Sequence, residues 1–154
     1  MSFPDSLRDN PVIAALGELT TAAKLEFGEL TAEVAPENIV AALRLIKDRL
    51  KYEQVTAITA VDRYPAEPRF EIVYLLHSFS KKERLRVKAR VSGENPEIES
   101  ACAVYRGANW YEREVFDFFG VRFLNHPNLI RIMLPDDWTG YPLRKDYPVT
   151  GTRY

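Results

Sequence analysis

Cysteine and histidine are scarce in this chain. Its 154 residues include Cys102, His77 and His126 and no other residue of either type. A single cysteine excludes an internal disulfide and fits a reducing compartment. It also excludes an iron–sulfur cluster held by this chain alone, because such clusters take about four cysteine thiolates. Zinc sites draw mainly on cysteine and histidine, so we expect no metal site.

Long apolar runs and an excess of one charge are also missing. No run approaches the roughly 20 residues needed to span a bilayer, and the start, MSFPDSLRDN, lacks the basic region and apolar core of a secretory signal. The formal net charge is −1, so the molecule as a whole is not drawn to nucleic acid or acidic lipid. With 46% hydrophobic and 28% charged residues, the chain is an ordinary globular sequence with room for one sizeable core.

Apolar periodicity divides the first half of the chain into three elements. Asn10-Pro11 has the form of a helix start, and an apolar stripe predicts a helix from there to about Lys24. Residues 30–34 alternate between apolar and polar, which predicts a short strand. Pro36 begins a second helical pattern that continues to about residue 51.

The middle of the chain predicts three strands and two further helices. Residues 55–61, 69–78 and 84–91 have strand patterns with short connections, so we expect them to pair antiparallel. Helices are predicted over 96–106 and 109–120. The expected fold is an α/β (α+β) two-layer sandwich, with a mixed, mainly antiparallel sheet, helices on one face and an extended C-terminal tail.

The last part of the chain differs in character from the rest. We divide the chain into a core domain, 1–120, and a tail, 121–154, which contains four prolines and no sustained period. Large apolar residues such as Trp138 and Tyr141 make the tail too apolar for a disordered segment. It either folds back on its own domain or lies along another protein, and the residues alone favour the first.

Cations alternate along the predicted strand 84–91. Arg84, Arg86, Lys88 and Arg90 share one face, which could follow a phosphate backbone. However, this face has no aromatic stacking residue, and Glu71 on the preceding strand can sit opposite. A solvated or partner-facing surface is therefore favoured over nucleic-acid binding.

The stretch NWYEREVFDFFG, residues 109–120, is dense in acids. Asn109 and Glu112 have the spacing of a capping box, Arg113 and Asp117 that of a helical ion pair, and Gly120 suits the end of a helix. A capped helix explains these residues without catalysis. Its predicted buried stripe comprises Tyr111, Val115, Phe118 and Phe119. Glu114 with Asp117 remains a candidate acid–base or metal pair, but no histidine or further acid is near in sequence, so we expect no active site.

The order of residues after this helix resembles one known family. Glu112-Arg113-Glu114, Asp117-Phe118-Phe119-Gly120, Phe123, His126-Pro127 and Arg131-Ile132-Met133 are followed by LPDDWTGYPLRKDYP at 134–148. This series is similar to the signature of the 30 kDa subunit, also called the C subunit, of respiratory NADH–quinone oxidoreductase (complex I). Ile130 departs from it, since the family usually has a basic residue or proline there.

The resemblance implies a function that the residues alone do not. It implies a non-catalytic subunit in the peripheral arm of the proton-translocating enzyme, on the cytoplasmic side of the bacterial inner membrane. FMN, iron–sulfur clusters and quinone would lie in partner subunits and none in this chain. The implied partners are the D subunit, which helps form the quinone site, and the B and I iron–sulfur subunits, with no nucleic acid and membrane contact only through the complex. The alternative is the equivalent subunit of a membrane-bound hydrogenase or formate hydrogenlyase-type complex.

The resemblance also implies roles for two groups of residues. A structural hub would comprise Glu112, Arg113, Glu114, Asp117 and Gly120. The tail would now bind a partner rather than its own domain. Its predicted interface residues are Phe123, His126, Arg131, Trp138, Pro142, Leu143, Arg144, Lys145 and Asp146.

Overall fold

The computed structural model describes residues 4–151, which form three helices and seven strands joined by short 3-10 turns. The helices are α1 (Pro11–Leu16), α2 (Ile39–Asp48) and α3 (Ala108–Phe119). The strands are β1 (Thr20–Glu26), β2 (Glu29–Val34), β3 (Gln54–Asp62), β4 (Phe70–Ser78), β5 (Glu83–Val91), β6 (Glu97–Glu99) and β7 (Arg122–Leu124).

Five of the strands form one mixed sheet. Their order is β1-β2-β5-β4-β3, and the β2–β5 pair is parallel while the other neighbours are antiparallel. The antiparallel pairing of β3, β4 and β5 confirms the strand prediction for the middle of the chain. A second, two-stranded sheet pairs β6 with β7 in parallel. The fold is therefore the expected α+β arrangement with a mixed sheet.

The two faces of the main sheet differ in chemistry. On β5 the apolar residues Leu85, Val87 and Ala89 are buried and share one hydrophobic core with helices α1, α2 and α3. The alternate residues carry the cations, as the sequence pattern requires. Ion pairs then neutralise much of that face: Arg86 with Glu29 at 2.5 Å, Arg90 with Glu33 at 3.3 Å and Lys88 with Glu71 at 2.8 Å. A strand paired in this way has little free charge for a phosphate backbone.

Two helix predictions were wrong. The helix predicted over 11–24 begins as expected, with the Asn10 side chain accepting a hydrogen bond from the Val12 amide. It ends at Leu16, because Gly17 adopts a positive φ of 52°, and a 3-10 turn (Gly17–Leu19) then leads into β1. The helix predicted over 96–106 is instead the short strand β6 and a 3-10 turn, because the backbone of residues 97–99 pairs with β7.

The hydrophobic core continues past residue 120. Val121 and Phe123, which follow α3, are among the most buried residues and belong to the same core. The first residues of the predicted tail therefore pack inside the domain. Among residues 4–151, no helix combines the length and the apolar character that a bilayer crossing requires.

Replacing a core residue should destabilise the fold, whereas replacing an exposed one should not. Leu43 of α2 is fully buried, so Leu43→Ala should lower the free energy of unfolding by about 2–5 kcal/mol, since the substitution leaves a cavity. Leu25 is 53% exposed, so Leu25→Ala is the matched control. Urea denaturation followed by circular dichroism measures both, and equal midpoints would contradict the core assignment.

Candidate functional site

Helix α3 buries two of its acids instead of displaying them. It begins at Ala108, after Gly107, and no side chain at the cap position bonds to its first turn. It ends at Phe119, and the next residue, Gly120, has a φ of 73°. The capping box predicted between Asn109 and Glu112 is therefore wrong. The predicted stripe is right for Val115, whereas Tyr111, Phe118 and Phe119 are only partly buried.

Glu112 is fully buried and holds the segment before the helix. Its carboxylate accepts hydrogen bonds from Ser100 Oγ at 2.6 Å, from the Ala101 amide at 2.5 Å and from Cys102 Sγ at 3.4 Å. Burial raises the pKa of Glu112 to about 7, because these bonds only partly offset the loss of water. Burial likewise raises the pKa of the Cys102 thiol to about 11.

His126 closes the same cluster from the turn after β7. Its Nε2 lies 3.1 Å from the carbonyl oxygen of Asn109, while its Nδ1 accepts a hydrogen bond from the Asn128 amide at 3.0 Å. The Asn128 bond therefore places the ring proton on Nε2, which donates to Asn109. Burial lowers the pKa of His126, so the ring is neutral at pH 7.

Cys102, Glu112 and His126 present potential metal-ligand atoms within 4.8 Å of one another. The hydrogen bonds do not fit a metal. Binding through Nε2 would break the bond to Asn109 and move the ring proton to Nδ1, which already accepts from Asn128. These residues make a hydrogen-bonded cluster.

Asp117 holds the start of the tail. Its side chain is fully buried, and Oδ1 accepts from Arg131 Nη1 at 2.8 Å. Oδ2 accepts from three successive backbone amides, those of Ile132 at 3.1 Å, Met133 at 2.7 Å and Leu134 at 3.0 Å. Burial alone would raise the pKa of Asp117, but these four donors outweigh it and hold the pKa below its usual value.

Arg113 contacts the tail rather than Asp117, so the predicted ion pair within the helix was wrong. Its Nε donates to the carbonyl of Ile130 at 3.2 Å, and Nη2 donates to the carbonyl of Arg131 at 3.4 Å. Its guanidinium stacks over the ring of Trp110 at 5.0 Å. Glu114 is exposed on the outside of the helix. The candidate acid–base pair of Glu114 and Asp117 is therefore separated, with one member in solvent and the other buried.

Gly120 lets the tail pass close to the end of α3. A Cβ there would lie 2.6 Å from Tyr141 Cε2 and from Arg144 Nη2. Arg144 donates to the Phe119 carbonyl at 2.6 Å and stacks over Phe70 at 5.1 Å and Tyr141 at 4.7 Å. Glycine is thus required by both its positive φ and the space it leaves.

A second buried ion pair holds the tail at residues 145 and 146. Arg69 binds both carboxylate oxygens of Asp62 at 2.9 Å and also pairs with Asp146 at 2.6 Å. Asp62 additionally accepts from the Lys145 amide at 2.9 Å. Sequence reasoning missed Asp62 and Arg69, although they stand at the facing ends of two strands that were predicted to pair. Ser100 was missed because a helix was predicted there.

The structure places most of the predicted interface residues against their own chain. Phe123 and the His126 side chain are buried, while Arg131, Arg144, Asp146 and the Lys145 amide bind the domain as described. Trp138 and Pro142 are partly buried. Leu143 is 54% exposed, although its amide donates to the Phe118 carbonyl. The arrangement therefore holds an irregular segment in one conformation.

Comparison with known proteins gives one consistent result. A sequence model of the family described as "Respiratory-chain NADH dehydrogenase, 30 Kd subunit" matches residues 32–153. The C subunit of NADH-quinone oxidoreductase from Citrifermentans bemidjiense is 49% identical over 80% of this chain and 77% of its own length. The protein of the same name from Geotalea uraniireducens is 44% identical over 96% of this chain and 92% of its own.

Solved structures agree with these sequences. One chain belongs to the membrane-bound sulfane sulfur reductase (MBS), an archaeal respiratory membrane complex. It superposes with a TM-score of 0.77 at 28% identity, covering 90% of this chain and 82% of that one. The trypsin-resistant fragment (1–134) of Nqo5 superposes with a TM-score of 0.64 at 27% identity, covering 70% of this chain and 88% of the fragment.

Removing the Asp117 carboxylate should release the tail. Asp117→Ala removes the buried carboxylate that accepts from Arg131 and from three amides, so we expect the free energy of unfolding to fall by about 3–5 kcal/mol. Limited trypsin digestion should then cut at Arg131 faster than in the unaltered chain. Glu114→Ala, on the exposed side of the same helix, is the control and should change neither quantity. Equal trypsin resistance of Asp117→Ala and the unaltered chain would contradict the assignment.

Glu112 should give the stability a pH dependence of its own. Its pKa of about 7 in the folded chain exceeds the ordinary 4.5, so the folded state binds the proton more tightly. Its contribution to stability is therefore full below about pH 4.5, falls as the pH rises to about 7, and is then constant. The change is roughly 3 kcal/mol, at 1.36 kcal/mol per pKa unit.

Urea titrations between pH 4.5 and 7.5, with Glu112→Gln as the reference, measure this change. The lowered pKa of His126 acts in the opposite direction over part of this range, so the profile of Glu112→Gln is subtracted from that of the unaltered chain. If the stability of the two proteins changed with pH in the same way, the raised pKa of Glu112 would be contradicted.

Proposed function

The chain belongs to the family of the 30 kDa subunit of respiratory-chain NADH dehydrogenase, and from this premise we propose that it is a non-catalytic subunit in the peripheral arm of a proton-translocating NADH–quinone oxidoreductase. The observation that carries the proposal is the match over residues 32–153, which includes helix α3 and its tail. In this role the chain scaffolds the subunits that carry electrons from NADH to quinone.

The geometry of the two carboxylates supports a scaffold rather than a catalyst. Glu112 and Asp117 are saturated by hydrogen bonds from their own chain and are closed to solvent. A catalytic acid or base must reach a substrate, whereas these groups reach only backbone and neighbouring side chains. FMN, iron–sulfur clusters and quinone belong, in this proposal, to partner subunits.

Electron transfer between subunits requires fixed distances, which a rigid scaffold provides. The tail is anchored at two places, by Asp117 at Arg131 and by Arg69 with Asp62 at Asp146. A segment ordered before binding loses less entropy when a partner docks. We propose that the tail docks on the D subunit, near the B and I iron–sulfur subunits.

The proposed location follows from the complex. The chain would lie on the cytoplasmic side of the inner membrane, held there by its partners. No helix within residues 4–151 offers a span of its own, which agrees with an indirect attachment.

A second candidate is the equivalent subunit of another membrane-bound oxidoreductase, such as a hydrogenase or formate hydrogenlyase-type complex. The similarity to a chain of the sulfane sulfur reductase favours it, since this fold serves in that complex too. The identity there is 28%, against 44% to the Geotalea uraniireducens protein over almost the whole chain. The quinone enzyme is therefore the better supported of the two.

Purification from native membranes tests the proposal. An affinity-tagged copy of this chain, expressed at its natural level, should co-purify in mild detergent with a quinone-site subunit and iron–sulfur subunits. Deleting the chain should abolish NADH-driven quinone reduction by the membranes, and restoring it should recover the activity.

The same purification distinguishes the alternatives. A nickel-binding large subunit among the recovered proteins would assign the chain to a hydrogenase complex. Recovery of this chain alone, with unchanged NADH oxidation in the deletion strain, would refute both assignments.

A further inference from the structure

Strand β1 forms one edge of the main sheet. It pairs with β2 on one side, and within residues 4–151 no other strand pairs with its outer side. The opposite edge is β3, which helix α3 contacts. An edge strand offers unpaired amides and carbonyls to a second extended segment. The outer side of β1 is therefore a candidate interaction surface at the edge away from α3.

A two-residue turn joins β1 to β2. Glu26 is paired with Glu29, so Phe27 and Gly28 form the turn, and their φ angles of 52° and 78° are both positive. Positive φ at both positions is the geometry of a tight hairpin turn. A bulky residue such as phenylalanine rarely adopts a positive φ. The Phe27 ring is 105% exposed, so burial within its own chain does not offset that cost, and the ring is free to contact a second molecule.

The same turn determines which backbone groups of β1 are free. The residues that flank a two-residue turn form a hydrogen-bonded pair, and such pairs alternate along an antiparallel ladder. Glu26 and Lys24 therefore bond to β2, whereas the amides and carbonyls of Leu25 and Ala23 point to the outer edge. The register shifts at residues 20–22, and such an irregularity bends an edge strand. The part of β1 that can accept another strand is therefore residues 23–27.

The charged side chains of this part of β1 are self-complementary. Lys24 and Glu26 lie on the same face of the strand, 66% and 54% exposed, and pair with each other at 2.5 Å. If two β1 strands pair antiparallel about a twofold axis at Leu25, Lys24 of one copy lies opposite Glu26 of the other. Two lysines and two glutamates then alternate around the axis. Each ion pair within a copy is kept, and each charge gains a second partner of opposite sign.

Other registers lose this match. A twofold axis at Lys24 would place two lysines opposite each other, and an axis at Ala23 would place Lys24 opposite Ala22. Lysine on an edge strand also discourages pairing with a segment that has no acid at the matching position. A second copy of this chain supplies that acid, because Glu26 falls at that position. The charge pattern therefore selects both the partner and the register.

The other charges near β1 do not disturb the match. Three ion pairs on the adjoining elements are internal: Asp5 with Arg8, Glu29 with Arg86, and Glu33 with Arg90. Glu18 precedes the register shift and lies outside residues 23–27. The charged residues around the start of β5 are Lys81, Lys82, Glu83 and Arg84. Because β2 separates β5 from β1, they stand about 14 Å from the β1 strand of the other copy, beyond the screening length of about 10 Å at 0.1 M salt.

Pairing in this register also covers apolar surface. Leu25 is 53% exposed and lies opposite the buried Leu30, on the side of the sheet that carries the core. Across the twofold axis it would contact Leu25 of the other copy. Phe27 of each copy would lie opposite Ala23, whose small side chain leaves space for the ring. The apolar residues that this hairpin exposes are therefore the ones that a second copy would bury.

We propose that two copies of this chain associate by antiparallel pairing of their β1 strands about a twofold axis at Leu25, which joins two five-stranded sheets into one continuous sheet. Backbone hydrogen bonds of Leu25 and Ala23, two Lys24–Glu26 pairs between the copies and the apolar contacts of Leu25 and Phe27 hold the dimer. The interface is small, so the dimer should dissociate on dilution. This inference goes beyond the proposed function and does not depend on it, since α3 and its tail stay uncovered.

Charge reversal in the full chain tests the register. Lys24→Glu places like charges opposite each other, so it should raise the dissociation constant of the dimer about tenfold, measured by sedimentation equilibrium over a series of protein concentrations. Glu26→Lys should do the same. The double variant Lys24→Glu with Glu26→Lys restores opposite charges and should recover the dimer. Both side chains are more than half exposed, so all three variants should keep the urea midpoint of the unaltered chain in dilute solution.

A cysteine at the twofold axis gives a second readout. Leu25→Cys places two thiols opposite each other in a hydrogen-bonded pair, whose Cα atoms lie about 5.5 Å apart and within reach of a disulfide. Under mild oxidation this variant should form a covalent dimer. Thr59→Cys, at an exposed position on the opposite edge strand β3, is the matched control and should not, and neither should the unaltered chain.

Three results would overturn the pairing. They are an unaltered chain that stays monomeric up to about 1 mM, a dissociation constant that Lys24→Glu leaves unchanged, and the absence of a disulfide from position 25. None of them affects the recovery of partner subunits from native membranes, so the proposed function can stand when the pairing fails. Conversely, a dimer that follows the charge pattern would remain established if the purification recovered no partner.

Discussion

The buried carboxylate of Asp117 is the interaction on which the tail depends. One side chain accepts hydrogen bonds from Arg131 and from three successive amides, so it fixes both the direction and the conformation of residues 131–134. A buried charge that has no partner strongly destabilises the folded state. The four donors satisfy that charge, and they hold residues 131–134 against the helix that carries Asp117.

The other anchors extend the same arrangement in both directions. Glu112 holds α3 to the turn at Ser100 and Ala101, and the Asp62–Arg69 pair binds Asp146 further along the tail. Between them Gly120 leaves the space that Tyr141 and Arg144 occupy. The acids that looked like a reaction centre in the sequence therefore organise a surface. That role suits a subunit whose relatives are parts of respiratory complexes.

The sequence predicted most accurately the elements in which apolar residues recur with one regular period. The strands β3, β4 and β5 and the helix α2 follow from regular apolar patterns, and the family follows from the order of residues after α3. It failed where tertiary contacts decided the outcome. Residues 96–106 have a helix-start pattern, but pairing with β7 makes Glu97–Glu99 a strand. Asn109 and Glu112 have cap spacing, but Ser100 and Ala101 supply donors from a segment that no local pattern places nearby.

These contacts order the tail on its own domain before any partner binds. Hydrogen exchange of the Ile132, Met133 and Leu134 amides in the isolated chain tests it most directly, since all three donate to Asp117. These amides should exchange many times more slowly than unstructured peptide amides, and Asp117→Asn should accelerate their exchange. Exchange at the unstructured rate in the isolated chain, with protection gained only in the complex, would contradict it.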